Sequence, residues 1–240
     1  MSERPVLRSV GTSDKPERPN VGDWATPPRI GEDMAGQLRD CLADLPWYLI
    51  TPFLRHWHRT WGATPAEAAA SMPGDDLLPQ AQYVCTRAID IDVPPAAVWP
   101  WLVQVGYRRA GWYAGDLLDN FARPSVRRIV PELQDLRIGQ WLSMVPWPSE
   151  RTAFVVDSFA EPSWLLWRSP NRSWVWRLVP LPGGRTRLIN RLKTLYEWRR
   201  PLVPITVLLM ECADYPMMRR MLRGIRDRAE QRERPGSAAD

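Results

Sequence analysis

The sequence predicts an α+β fold in which a curved antiparallel sheet wraps around a long C-terminal helix, behind an N-terminal helical extension. Three observations carry this. Residues 85–93 alternate with period two, stop at Pro94-Pro95 and lead straight into a short helix. Further stretches of strand period follow between 138 and 196, two of them joined by the tight hairpin turn Pro182-Gly183-Gly184-Arg185. The chain then closes on 216–231, where Met217, Met218, Met221, Leu222, Ile225 and Ala229 recur at helical spacing.

In chain order, residues 1–33 carry five prolines, several charges and no periodicity, which predicts a disordered tail. The last residues, 232–240, read the same way. Residues 34–80 form the helical extension. Thr51 is placed to cap a helix whose first residue is Pro52. Trp47, Ile50, Leu54, Trp57 and Trp61 share one helical face, a stripe that Pro52 splits over two short helices. Thr64-Pro65-Ala66-Glu67 is a capping box for another helix, ending at Met72-Pro73-Gly74. The stripe is expected to pack against the main domain. The sharper alternative is a peripheral membrane contact through 45–61.

The main domain spans 81–231. Its first strand sets Ile89, Ile91 and Val93 against Ala88, Asp90 and Asp92. A helix over 96–103 is kinked by Pro100, which lacks the N–H owed to Ala96. Gly106 and Gly111 bracket a turn, 112–121 is a second short helix, and 126–136 is irregular. Strands follow at 138–145, 152–159, 164–168, 173–181 and 186–196. Trp174, Trp176, Asn190, Thr194 and Tyr196 point into the sheet's concavity, and Arg187, Arg191 and Lys193 face solvent. Pro216 ends any helix that starts near Ile205. In the final helix Arg219, Arg220, Arg223 and Arg226 form a solvated face with pairs such as Arg223–Asp227.

Composition excludes several functions. Net charge is +5, but 30 of the basic residues are arginine, only Lys15 and Lys193 are lysine, and all are interleaved with acids. That is a compositional bias and not a nucleic-acid surface. Three widely spaced cysteines form neither a disulfide framework nor a zinc cluster. His56 and His58 point about 200° apart on a helix and cannot share a metal. No GxSxG, GxGxxG or GxxxxGK[ST] occurs, so no metal or cofactor is expected. The N-terminus has no apolar signal core, and the uncharged runs 45–54 and 201–210 have ten residues each, short of the ~20 needed to span a bilayer. The reading is a soluble protein of a reducing compartment, the cytoplasm. One excess stands out: there are 14 tryptophans, ten of them between Trp99 and Trp198. So many large rings suit a fold with concave space to line.

Several segments carry a family likeness: PGDDLLP at 73–79, TRAIDIDVPPAAVWPWLVQVG at 86–106, GWYAGDLLDN at 111–120, PELQDLRIGQ at 131–140, GGRTRLINR at 183–191 and MMRRMLRGIRDRAE at 217–230. Over about residues 62 to 231 the chain resembles the START-like, or SRPBCC, superfamily, closest to bacterial polyketide cyclase/dehydrase-like members. The resemblance implies a helix-grip fold with an apolar tunnel between sheet and helix. Such proteins bind lipids, sterols, polyketides and other hydrophobic molecules, and some catalyse cyclisation or dehydration. In these members the GWY segment is usually followed by Ser-Tyr-Asp. Here Ala114-Gly115-Asp116 follows, so two polar side chains are missing.

The candidate ligand-binding residues are therefore Trp112, Tyr113, Asp116, Trp174, Trp176, Asn190, Thr194, Tyr196, Asp214, Met218 and Met221. Methionine and tryptophan together give an adaptable lining. Asp116 also suits a loop partner, and Asp214 a helix cap. An Asp214 facing the tunnel would be raised in pKa by desolvation, as a general acid or base needs. The expected function is binding of a hydrophobic small molecule, lipid- or polyketide-like. The alternative is a cyclase or dehydratase acting on such a molecule. Convergence of Tyr113, Asp116, Asn190 and Asp214 would mark a reaction, and their dispersal would favour binding.

Overall fold

The computed structural model describes residues 38–39, 42–43, 45–47 and 50–233. The tail at 1–33, nearly all of that at 232–240 and parts of the extension before residue 50 lie outside the described residues.

The extension contributes a 3-10 turn, Thr51–Leu54, then α1, Arg55–Arg59, and α2, Pro65–Ala69. Thr51 is not a cap: its hydroxyl donates back to the Trp47 carbonyl, and Ile50 precedes the turn in helical conformation. The box at Thr64 forms as expected, with reciprocal bonds between Thr64 and Glu67. Trp47, Trp57 and Trp61 gather around Tyr215, with ring centroids 5.2 to 6.1 Å from it. The tryptophans of the stripe therefore share Tyr215 as a packing partner, although Trp57, like Ile50 and Leu54, stays partly exposed.

The sheet begins with β1, Tyr83–Ile91, followed by α3, Pro95–Val103, and the one-turn α4, Asp116–Asp119. β2, Trp141–Ser143, β3, Ala153–Ala160, β4, Trp164–Ser169, β5, Arg172–Leu181, and β6, Arg185–Thr194, complete it in the order β1-β6-β5-β4-β3-β2. Every neighbouring pair is antiparallel. A bulge between Val156 and Ser158 breaks the register of β3 and β4, a device that bends a strand and increases its twist. The C-terminal helix packs on β1 and α3 against the concave face, the layout that a helix grip requires.

Four elements differ from the sequence reading. The helix expected over 112–121 shrinks to α4, because Tyr113 sits in the left-handed region at φ 58°. The strand expected over 138–145 shrinks to β2, since Gly139 at φ 85° turns the chain just before it. The lysine-arginine face of β6 is not solvated. Residues 63–78 cover it: Arg191 donates to the carbonyls of Glu67, Ala68 and Ala70 and to Asp75, and Lys193 donates to the Asp75 carbonyl. Met72, Ala88, Leu166, Val175 and Ile189 make a small second core beneath this cover.

Finally, Pro216 does not break the last helix. α5, Val203–Leu208, runs through a π-helical segment, Leu209–Ala213, directly into α6, Asp214–Glu233. Pro216 removes one donor and crowds the carbonyl four residues back, at Cys212. The wider π turn sits at that point and accommodates both defects. The arginine face of α6 is also less solvated than expected. Arg219 lies over Trp47 and Arg223 over Trp61, while Asp227 pairs with Arg226 instead of Arg223. Gly224 lets α6 meet the 106–113 turn, since a Cβ there would lie 2.1 Å from the Tyr113 carbonyl oxygen.

Candidate functional site

A cluster of aromatic rings packs between sheet and helix. Trp112 stacks on Trp174 at 5.9 Å and 7°, and Trp167 meets Trp174 edge-on at 5.3 Å. Phe154 and Trp176 close the cluster. Beside it a cavity of about 280 Å³ remains open. Its wall is mostly apolar: Trp112 and Trp174, Phe154 on β3, Leu192 on β6, and methionines from the helix and from the loop after β2. Leu118, Phe121 and Leu209 are exposed at its rim, so it opens between α4 and the π segment.

The π segment shapes this wall. Leu209, Met210 and Ala213 line the cavity, and so do Asp214, Met217, Met218 and Met221 of α6. The wider turn brings both sets onto one surface.

Of the residues expected at the site, Trp112, Trp174, Asp214, Met218 and Met221 line the cavity. The others stand off it. Tyr113 is buried under Arg228 and accepts a 2.8 Å bond from Gln104. Asp116 accepts the Ser125 hydroxyl, a loop contact. Trp176 lies in the solid core. Asn190 is buried and donates to the Val175 carbonyl at 3.4 Å. Thr194 backs Met210, and Tyr196 packs on Trp198 with its hydroxyl pKa pushed up to about 12 by burial and then by Glu211. Tyr113, Asp116, Asn190 and Asp214 thus disperse into separate contacts.

Sequence reasoning missed the partner of Asp214. Arg87, fully buried on β1, donates from Nη1 to Asp214 Oδ2 at 2.6 Å and from Nε to the His58 carbonyl at 2.8 Å. The Tyr83 hydroxyl donates to the same carboxylate oxygen at 2.8 Å. Burial pulls the Arg87 guanidinium pKa down, but the charge and hydrogen bond of Asp214, joined by Cys85 and Tyr83, together outweigh it and the net shift is upward. Burial, followed by the Asp214 charge, pushes the Tyr83 hydroxyl up, so it stays a donor. The signal was available: Arg87 shares its strand face with Tyr83, Cys85 and Ile91, and an arginine on an apolar face needs a buried partner. Arg172, Asp119 and Met144 on the cavity wall were missed too. Among the described residues, no three His, Cys, Asp or Glu side chains gather as metal ligands.

His58 joins the extension to this network. It is fully buried, with no hydrogen-bond partner on either ring nitrogen among the described residues, and Nε2 lies 4.0 Å from Glu211. Arg55 and Arg59 of α1 also grip Glu211, at 2.7 and 2.6 Å. Burial, then the Arg87 charge, lowers the His58 pKa from 6.5 to about 4. The unfolded chain takes up this proton and the folded chain refuses it. Stability is therefore complete above about pH 6.5 and falls as pH drops toward about 4. The stability difference between wild type and His58→Leu is expected to shift by about 2 kcal/mol between roughly pH 7.5 and pH 5, read from urea midpoints. Asp119 opposes this. Burial raises its pKa to about 6, so its contribution is lost as pH rises from about 4 to 6. That contribution is common to both proteins and cancels in the difference.

No protein-family model matches the chain, and no curated protein matches it. Among solved structures it is similar to the Zhui aromatase/cyclase from Streptomyces sp. R1128, at 14% identity and a TM-score of 0.42, covering 65% of this chain and 99% of that one. It is similar to CalC, a self-sacrificing resistance protein from Micromonospora echinospora, at 12% identity and a TM-score of 0.40, covering 62% and 95%. A Polyketide_cyc-like protein from Corynebacterium glutamicum aligns at 14% identity and a TM-score of 0.37, covering 65% and 97%.

Proposed function

We propose that this protein binds a hydrophobic small molecule in the cavity between the curved sheet and the C-terminal helix. The observation that carries the reading is an open apolar space beside a methionine-rich helix, in a core otherwise packed with indole rings. Dispersal of the polar side chains supports binding over a cyclase or dehydratase reaction, which needs acid and base converging on one point. Asp214 lines the cavity but is already engaged by Arg87 and Tyr83, which leaves it poorly placed to carry protons.

Titration with N-phenyl-1-naphthylamine tests this, read by reporter emission and tryptophan quenching. Wild type is expected to take up the dye. Ala213→Trp, which puts an indole into the cavity from the π segment, is expected to weaken uptake by about tenfold or more. Equal uptake by both proteins would place the dye elsewhere and defeat the reading.

A row of exposed apolar side chains supports a second reading, contact with an anionic lipid surface. Phe53 is 88% exposed, Leu202 66% and Leu208 62%. The turn carrying Phe53 packs beside the π segment, and the exposed Arg199 and Arg200 flank the row in sequence. Phosphatidylglycerol vesicles are expected to float the full chain, and the pair Ile205→Asp and Leu208→Asp to abolish flotation with the circular dichroism spectrum unchanged. Failure of wild type to float would end that reading. Among the described residues, no helix is long and apolar enough to cross a membrane.

A further inference from the structure

Most arginines drawn into this fold have a carboxylate. Arg87 has Asp214, Arg191 has Asp75, Arg187 has Glu67 and Asp90, and Arg59 has Glu211. Among the described residues Arg109 has none, but three backbone carbonyls, those of Val103, Val105 and Leu133, enclose its guanidinium away from the cavity. Arg172 is different. It stands on the cavity wall at the start of β5, and among the described residues no carboxylate pairs with it. Nε donates to the Ser169 hydroxyl at a long 3.3 Å, and Nη2 to the Arg151 carbonyl. The partner of Nη1 is the Met144 sulfur at 3.6 Å, a weak acceptor. The guanidinium lies 4.7 Å over the Phe154 ring. Met144 and Phe154 both line the cavity, so the least satisfied edge of the fork is turned toward it.

Burial, with no neighbouring charge opposing it, lowers the Arg172 pKa to about 10, so it remains a cation at neutral pH. The two acids on the wall belong to other groups. Asp214 holds Arg87, and Asp119 accepts the Gly115 N–H at 2.8 Å. A largely desolvated cation without a counter-ion, beside an apolar space, is completed by an anion that arrives with the guest.

We infer that Arg172 is the anion-recognising residue of this cavity, and that the ligand class is an amphipathic acid, an apolar body ending in one carboxylate. The inference rests on the reading that the cavity binds a hydrophobic molecule. The carboxylate accepts from the guanidinium edge that Met144 now covers, and the apolar body lies along Trp174, Leu192 and the methionines of α6.

The test displaces N-phenyl-1-naphthylamine from the full chain with decanoate and, separately, with decanol. Decanoate is expected to displace the dye from wild type at about tenfold lower concentration than decanol, although decanol is the less polar molecule. Arg172→Met is expected to lose the preference, decanoate and decanol then displacing its bound dye at concentrations within about twofold of each other, whatever its own affinity for the dye. Arg172→Lys keeps the charge without the planar fork and is expected to retain part of the preference, which decides the matter if the methionine variant fails to fold. Equal displacement by the two competitors, or a preference that survives in Arg172→Met, overturns the inference while the cavity reading stands. No uptake of dye, decanol or decanoate by wild type overturns both.

Discussion

Asp214→Ala is expected to cost about 3–5 kcal/mol of folding stability. The reason is the group left behind. Arg87 is fully buried, and its Nη1 would lose the carboxylate it donates to. The Tyr83 hydroxyl would lose its acceptor at the same time. The pair itself need not be worth that much, because two charges taken out of water repay little of their desolvation. The double variant Arg87→Met and Asp214→Leu is therefore expected to recover most of the loss, with strong non-additivity in the cycle. Urea denaturation of wild type, Arg87→Met, Asp214→Leu and the double variant measures it. Additive losses would mean that water already reaches the pair. Because Arg87 also holds the His58 carbonyl, the single variant is further expected to loosen the extension, seen as faster proteolysis between α1 and α2.

Trp174→Ala is expected to lower stability by a similar amount, about 3–5 kcal/mol, and to change what the cavity accepts. Trp174 is 7% exposed and touches four other rings. Losing them forfeits burial and stacking together. The ring also forms part of the cavity wall, so its removal adds roughly an indole's volume to a space of about 280 Å³. Affinity for a bulky guest such as pyrene is expected to rise relative to N-phenyl-1-naphthylamine, while Trp174→Phe falls between. An unchanged order of affinities would show that guests do not reach this wall.

The strands were legible because a buried face repeats every second residue, and the α+β class followed from their number and from the apolar period of the last helix. The outer face of β6 was not. Arg187, Arg191 and Lys193 alternate in the same way whether they meet water or a covering segment with its carbonyls turned inward, as residues 63–78 are. The short helix after Gly111 was misread because a positive φ at Tyr113 leaves no mark in a sequence without glycine at that position. Within the site, apolar residues were easier to place than polar ones. Trp112, Trp174, Met218 and Met221 line the cavity, whereas Asn190 and Thr194 have the right strand phase but stand off it, and Tyr196 lies past the end of β6. Parity does not report depth. Arg172 shares parity with Trp174 and Trp176, so its inward aim could have been read from the strand alone.

The π segment at Leu209–Ala213 acts as a phase shifter. An α-helix turns about 100° per residue, so one inserted residue rotates everything before it by that angle relative to everything after. Deleting one residue there would restore ordinary winding and swing Glu211 away from His58 and from the two arginines of α1 that clasp it, while Asp214 stayed docked on β1. Insertions and deletions at this joint, more than substitutions in the sheet, offer the chain a route to reshape its interior without rebuilding the curved sheet around it.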